Sequence, residues 1–305
     1  MRRAVPVRSL TAVALARVGG LARCAIFVAC AAALILALSL PSAAPAGEPP
    51  PKRELVVMAA ASLRDAFTAL ARTFESANPG VHVTLAFAGS QELRAQIEHG
   101  AAADVFASAD TTTLPALQAQ DLCKAPAAFA RNVPVVVVPE GDPAGLTSFH
   151  DLPRAKRVVV GIPESPIGSY TVKILQRADQ AHPGFRAAVE ARIASRELNV
   201  RQVLAKISLG EAEAGIVYRT DALTARGRVK VVEIPPALSE LAEYQVAALS
   251  RAKEPALAQS FLALLTGPEG QRALAEQGFV TSPAAPAGSA KSVTPDAGRA
   301  PPRTP

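Results

Sequence analysis

"LVVMAAASLRDAFTALARTFE", Leu55 to Glu75, carries an apolar run straight into a helix through a serine, with no polar loop between. After Ser62 the apolar residues Leu63, Ala66, Phe67, Leu70, Ala71 and Phe74 follow the i, i+3, i+4, i+7 spacing of one face of an amphipathic helix. Ser62 stands where an N-cap belongs. Asp65, three residues on, completes a capping-box pattern that satisfies amide donors of the first turn. One reading of Ser62 is therefore a cap. The other starts from its placement: where a strand's carboxyl end feeds a helix amino end, open α/β sheets bind ligands, and the free N–H groups there favour anions.

The same grammar recurs downstream. "VHVTLAFAGS" leads into "QELRAQIEHG" through Ser90, and "ADVFASAD" into "TTLPALQAQD". Then come "VPVVVVP", "RVVVGIP", "AGIVY", "VKVVEIP" and "EYQVAALS". Near-continuous Val/Ile/Ala strands between helices mark parallel sheets covered on both faces, so the class is α/β. Two strands, "NVPVVVV" (Asn132 to Val138) and "YQVAALS" (Tyr244 to Ser250), are flanked by lobe-sized blocks. If the chain crosses and returns there, residues 52–133 plus 246–281 form one lobe and 134–245 the other, with a ligand cleft between them.

The two ends read differently. Residues 1–46 place Arg2, Arg3, Arg8, Arg17 and Arg23 before an uncharged run, Cys24 to Leu40, and then small residues and prolines. This is the pattern of a secretory signal peptide, with cleavage expected after Ala46. Residues 282–305, rich in Pro, Ala, Gly and Ser, read as a disordered tail. Five of the 32 Lys+Arg and none of the 26 Asp+Glu lie in the leader, so the mature chain is nearly neutral, at +1. That argues against nucleic acid as a partner. Cys123 alone remains of three cysteines, which excludes an internal disulfide.

Catalytic and metal patterns are missing. His82, His99, His150 and His182 match no ligand spacing, and the chain has no GxxxxGK[ST], no GxGxxG after a strand and no GxSxG. Asp104 and Asp110 bracket a strand and suit caps or lobe contacts better than an acid/base pair. No enzyme, metal or cofactor is expected. What the chain does offer is helix starts at Ser62, at Ser90, in "GIPESPIGSY" and at Asn199-Val200, together with Tyr218 ending "AGIVY". These come from both proposed lobes and could converge on the cleft.

In order and spacing, "VVMAAASLRDAF", "FAGSQELRAQIEHGAAADVFASAD", "PIGSYTVKIL" and "EAGIVYRTDAL" resemble the periplasmic molybdate-binding proteins of molybdate ABC transporters, over roughly residues 54–280. The resemblance implies a two-lobed, type II periplasmic binding-protein fold that closes on a tetrahedral oxyanion, molybdate or tungstate, and delivers it to an inner-membrane ABC permease. It also implies the site. Ser62 and Ser90 would give hydroxyl and main-chain donors, Ile167 and Val200 main-chain N–H donors, and Tyr218 its phenol. The loop before Gly168 is one residue shorter than the usual family form, and Ile162 replaces a common Asp, so Gly168 could replace Ile167 as donor. Gly89 stands where a serine is frequent and Gln245 where a proline is; neither is expected to touch the ligand.

Such a site makes electrostatic sense without Arg or Lys. Each helix amino end acts as roughly +0.5 charge, so four offset a dianion. A set of donors also disfavours an anion that keeps a proton, because its O–H would be buried without an acceptor at about 1–3 kcal/mol. A monomeric periplasmic carrier is the leading expectation. The alternatives are a binder of another oxyanion such as sulfate, and a secreted α/β enzyme using Ser62 or Ser90 as nucleophile, which would need a base within hydrogen-bond reach.

Overall fold

The apolar run Arg53–Ala60 forms strand β1, and Leu55, Val57 and Ala59 on one side and Met58 on the other are all buried. A strand covered on both faces lies inside a sheet with helices on each side. The computed structural model describes residues 53–281; the expected leader, its cleavage point and the expected tail lie outside the described residues. After one 3₁₀ turn, Ala61–Leu63, helix α1 (Arg64–Ala77) buries Ala66, Phe67, Leu70, Ala71 and Phe74, the predicted stripe. The cap reading of Ser62 fails. Ser62 sits inside the 3₁₀ turn, Leu63 occupies the N-cap of α1, and no side chain caps it. The extra turn moves the N-cap one residue on, from Ser62 to Leu63, and turns the serine hydroxyl elsewhere.

The chain continues through β2 (Val81–Ala88), α2 (Ser90–Glu98), β3 (Val105–Ser108), α3 (Thr113–Gln118) and β4 (Ala127–Asn132). A single residue, Val133, separates β4 from β5 (Pro134–Pro139), which opens the second lobe. There follow β6 (Val158–Gly161), α4 (Pro166–Ala181), α5 (Phe185–Glu190), β7 (Ile193–Glu197) and α6 (Val200–Ser208). Strand β8 (Ala214–Tyr218), α7 (Arg219–Thr224) and β9 (Val229–Val232) complete that lobe. The return strand β10 (Ala242–Ala248) re-enters the first lobe, which α8 (Pro255–Thr266) and α9 (Pro268–Glu276) close.

Each lobe is a five-stranded sheet flanked by helices, ordered β2-β1-β3-β10-β4 in the first and β7-β6-β8-β5-β9 in the second. In each sheet one strand, the one arriving from the other lobe, runs against its neighbours: β10 in the first and β5 in the second. The return strand joins the first sheet from Ala242, which pairs with Asn132, so residues 242–245 go with the first sheet rather than with 134–245.

Register places the cleft. Strand β4 ends at Asn132 on the edge where β1, β2 and β3 also end, and β5 begins at Pro134, which pairs with Tyr218 at the end of β8. The link at Val133 therefore turns the carboxyl edges of both sheets toward each other. Among the described residues no helix is long and apolar enough to cross a membrane.

Candidate anion-binding site

Where these strands end, their loops surround one small cavity of about 20 Å³. On such a measure a water needs roughly 10–15 Å³. The cavity is thus of a size to hold a small polyatomic ion. All five predicted residues, Ser62, Ser90, Ile167, Val200 and Tyr218, line it. The first two come from the first lobe and the other three from the second.

Capping decides which amides remain free. At the start of α4, Pro166 has no N–H, and the N-cap Ser165 accepts from Gly168 N at 3.2 Å through its hydroxyl and from Ser169 N through its carbonyl. Ile167 N–H is then the first donor left to the cavity, with Gly168 already engaged. Gly168 is also needed sterically: a Cβ there would lie 1.8 Å from the Ile162 carbonyl oxygen. At the start of α6, Asn199 Oδ1 accepts from Arg201 N at 3.2 Å and Gln202 N at 3.3 Å, which leaves Val200 N–H free. Both caps satisfy inner amides and expose the outermost one.

Three hydroxyls complete the set. Ser62 Oγ lies 2.9 Å from the Tyr244 hydroxyl, and Ser90 Oγ accepts from Ala109 N at 3.1 Å. The Tyr218 hydroxyl is buried and has no hydrogen-bond partner. Desolvation pushes its pKa well above the usual phenol value, so it stays a neutral O–H. Such an orphan costs on the order of 1–3 kcal/mol unless something in the cavity accepts from it. Tyr170, Tyr218 and Tyr244, the three tyrosines of the chain, pack edge-on in sequence, with centroids 6.4 and 5.8 Å apart.

No Arg, Lys, Asp, Glu or His lines the cavity. Arg201, next to Val200, directs its guanidinium to Asp65 and Asp221 instead. Gly89 lines the cavity as well. A Cβ there would meet Gln91 at 2.6 Å and the Leu198 carbonyl at 2.7 Å, so glycine lets the lobes approach. Gln245 stands at a bulge in β10, away from the cavity lining.

The remaining candidates resolve into structure. Asp104 accepts from Val56 N and Glu254 N, and Asp110 caps the turn before α3 through Thr112 N and Thr113 N. His150 and His182 meet edge to face at 4.9 Å, but among the described residues no three His, Cys, Asp or Glu gather as a metal site. Sequence reasoning missed Ser165, Asn132 and Tyr244. Ser165 was readable from its place before Pro166, whereas Tyr244 is 182 residues from Ser62 and gave no local signal.

Comparison with known proteins agrees with this geometry. The bacterial extracellular solute-binding protein family matches residues 55–280. The molybdate-binding protein ModA of Mycobacterium tuberculosis is 42% identical over 241 residues, covering 78% of this chain and 89% of that protein. The molybdate-binding protein ModA of Escherichia coli is 31% identical over 236 residues, covering 74% and 88%. The solved periplasmic molybdate-binding protein of Azotobacter vinelandii superposes with a TM-score of 0.63 over 75% of this chain and all of its own, and at 22% identity it speaks for the fold alone. With two lobes, a cleft between facing strand ends and a family match that runs through both, this chain belongs to the bacterial extracellular solute-binding proteins.

Proposed function

We propose that this protein captures molybdate, and tungstate equally well in shape and charge, in the interlobe cavity of the bacterial periplasm and delivers it to an ABC permease. The observation that carries this reading is the Tyr218 hydroxyl, buried without a partner at a cavity of about 20 Å³. Around it, Ile167 and Val200 offer main-chain N–H groups and Ser62 and Ser90 offer hydroxyls. The helix starts supply partial positive charge in place of ionised side chains. Relatives at 42% and 31% identity named as molybdate-binding proteins support the choice of ion. The leader of residues 1–46, outside the described residues, supports export. The protein acts as a monomer, needs no cofactor and does not turn its ligand over.

The hydrolase alternative needs a general base beside a serine. Ser62 has a phenol as partner and Ser90 a main-chain amide, so neither has a group able to take its proton. Calorimetric titration of the mature protein with molybdate, tungstate, sulfate and phosphate tests the proposal. Molybdate and tungstate are expected to bind at least about a hundredfold tighter than the other two, a difference of roughly 2.7 kcal/mol. Sulfate binding as tightly as molybdate would overturn the choice of ion.

A further inference from the structure

The fully buried Asn132 fixes the direction of a hydrogen-bond chain that ends at the cavity. Its Oδ1 accepts from Val133 N at 2.9 Å, which makes the other end the amide donor. That Nδ2 donates to Thr220 Oγ1 at 2.8 Å and to the Tyr244 hydroxyl at 3.3 Å. Tyr244 is fully buried, so its own proton needs an acceptor, and Ser62 Oγ at 2.9 Å is the acceptor within reach. The space behind Ser62 is thereby filled by a proton from Tyr244. Ser62, 3% exposed, has no place for its own proton except the cavity.

We infer that Tyr244, held by Asn132, is a positioning residue for specificity: it forces Ser62 to donate into the cavity and so works against oxyanions that carry a proton. The inference rests on the oxyanion reading of the cavity and adds a residue that does not itself line it. Ser90 is held the same way from behind by Ala109 N–H. Ser165 is used up, accepting from Gly168 N and donating to Ile162 O at 2.7 Å. Among the hydroxyls lining the cavity, Tyr218 is the one whose direction nothing fixes. An anion with one proton therefore has Tyr218 alone to accept from it, and Tyr218 must then turn its own buried proton away from the cavity, where no group accepts it.

Removing the Tyr244 hydroxyl empties the space behind Ser62. The serine proton can then turn back, and its oxygen can accept from a proton-bearing anion. Tyr244→Phe keeps the ring and its edge contacts with Phe129, Tyr218 and Phe279.

The test is calorimetric titration of the parent and Tyr244→Phe at pH 8 with molybdate, sulfate and inorganic phosphate, the last retaining one proton. The expected result is a phosphate-to-molybdate Kd ratio that falls at least about tenfold in the variant while the sulfate-to-molybdate ratio holds within about twofold. A role in packing alone would weaken all three ions together. Both ratios unchanged, or phosphate still undetectable while molybdate and sulfate bind, would overturn the inference. A parent that ignores molybdate would instead overturn the reading of the cavity, and this inference with it. Should Tyr244→Phe fail to fold, Asn132→Asp gives the Tyr244 proton an acceptor and leaves the Tyr244 oxygen free to accept from Ser62; the added charge weakens all three dianions alike, so the phosphate-to-molybdate ratio is expected to fall in the same way, and an unchanged ratio there counts equally against the inference.

Discussion

Arg201 crosses the cleft to Asp65: its Nη2 lies 2.5 Å from the Asp65 carboxylate, while its Nε lies 2.6 Å from Asp221 in its own lobe. Arg201 follows Val200 at the start of α6, and Asp65 lies three residues after Ser62. The pair clips the lobes together beside the cavity without entering it. On the other flank, Gln91 Nε2 donates to the Leu198 carbonyl at 2.7 Å.

The clip is predicted to act on ligand release. Asp65 is 45% exposed, and half-exposed pairs contribute about 0.2–1 kcal/mol. Asp65→Asn should therefore raise the molybdate dissociation rate by roughly two- to fivefold and leave the melting temperature nearly unchanged. Stopped-flow displacement of bound molybdate by tungstate measures this, and raising the salt should narrow the gap between parent and variant. Identical release rates at low salt would show that the contact carries no closing energy.

The other end of the clip should show in the pH dependence of stability. Asp221 is fully buried, one of its oxygens has no partner, and desolvation outweighs the Arg201 charge, which pushes its carboxyl up to about 6. The folded chain then holds this proton more tightly than the unfolded one. The contribution of Asp221 is fully present below about pH 4 and is lost as the pH rises through about 6. Asp221→Asn has no such loss. Relative to the parent, its stability should gain on the order of 2–3 kcal/mol between pH 4 and pH 7. Urea midpoints of both proteins across that range give the difference, and a flat difference would contradict the prediction.

Tyr218→Phe and Ser90→Ala should separate binding from folding. The Tyr218 hydroxyl has no protein partner, so its loss should leave the fold intact while weakening molybdate by about ten- to a hundredfold, the worth of one hydrogen bond to a charged group. Ser90→Ala removes the acceptor of Ala109 N as well, and should cost about 1–3 kcal/mol of stability in addition to affinity. Thermal melts paired with calorimetry test both, and a Tyr218→Phe protein that binds like the parent would place the anion elsewhere.

Gly168→Ala is predicted to be the most damaging single methyl group near the site. The added carbon would sit 1.8 Å from the Ile162 carbonyl oxygen and 2.8 Å from that of Gly161, both main-chain atoms. The start of α4 must shift, and with it Ile167 N–H. Overpacking of this kind typically costs 1–3 kcal/mol or more. Molybdate affinity should fall even where the protein still folds, as calorimetry on the soluble fraction would show. Parent-like binding would mean that the α4 amino end does not position the anion.

The alternation of buried strands and amphipathic helices was legible because it depends on neighbours within a few residues: Val57 and Ala59 in β1, then Phe67, Leu70 and Phe74 in α1. Ser62, Ser90, Val200 and Tyr218 were legible as helix starts and a strand end, Ile167 and the joining of the five into one site came with the family resemblance, and all five line the cavity. The choice of Ile167 over Gly168 was within reach too, since Ser165 before a proline marks the cap that engages Gly168 N.

Short-range order along the chain thus carries the α/β class, the positions where strands hand over to helices, and the residues that stand at those points. Tertiary structure alone decided that Ser62 bonds to Tyr244 instead of capping its helix, that Asp65 pairs with Arg201 instead of completing a capping box, and that Asn132 orients the chain of hydroxyls between them. The physical reason is that these partners lie 182, 136 and 112 residues apart and meet only because β10 returns to the first sheet and the lobes close. A hydroxyl or carboxylate takes whichever partner the folded chain brings within 3 Å, and short-range periodicity carries no record of that choice.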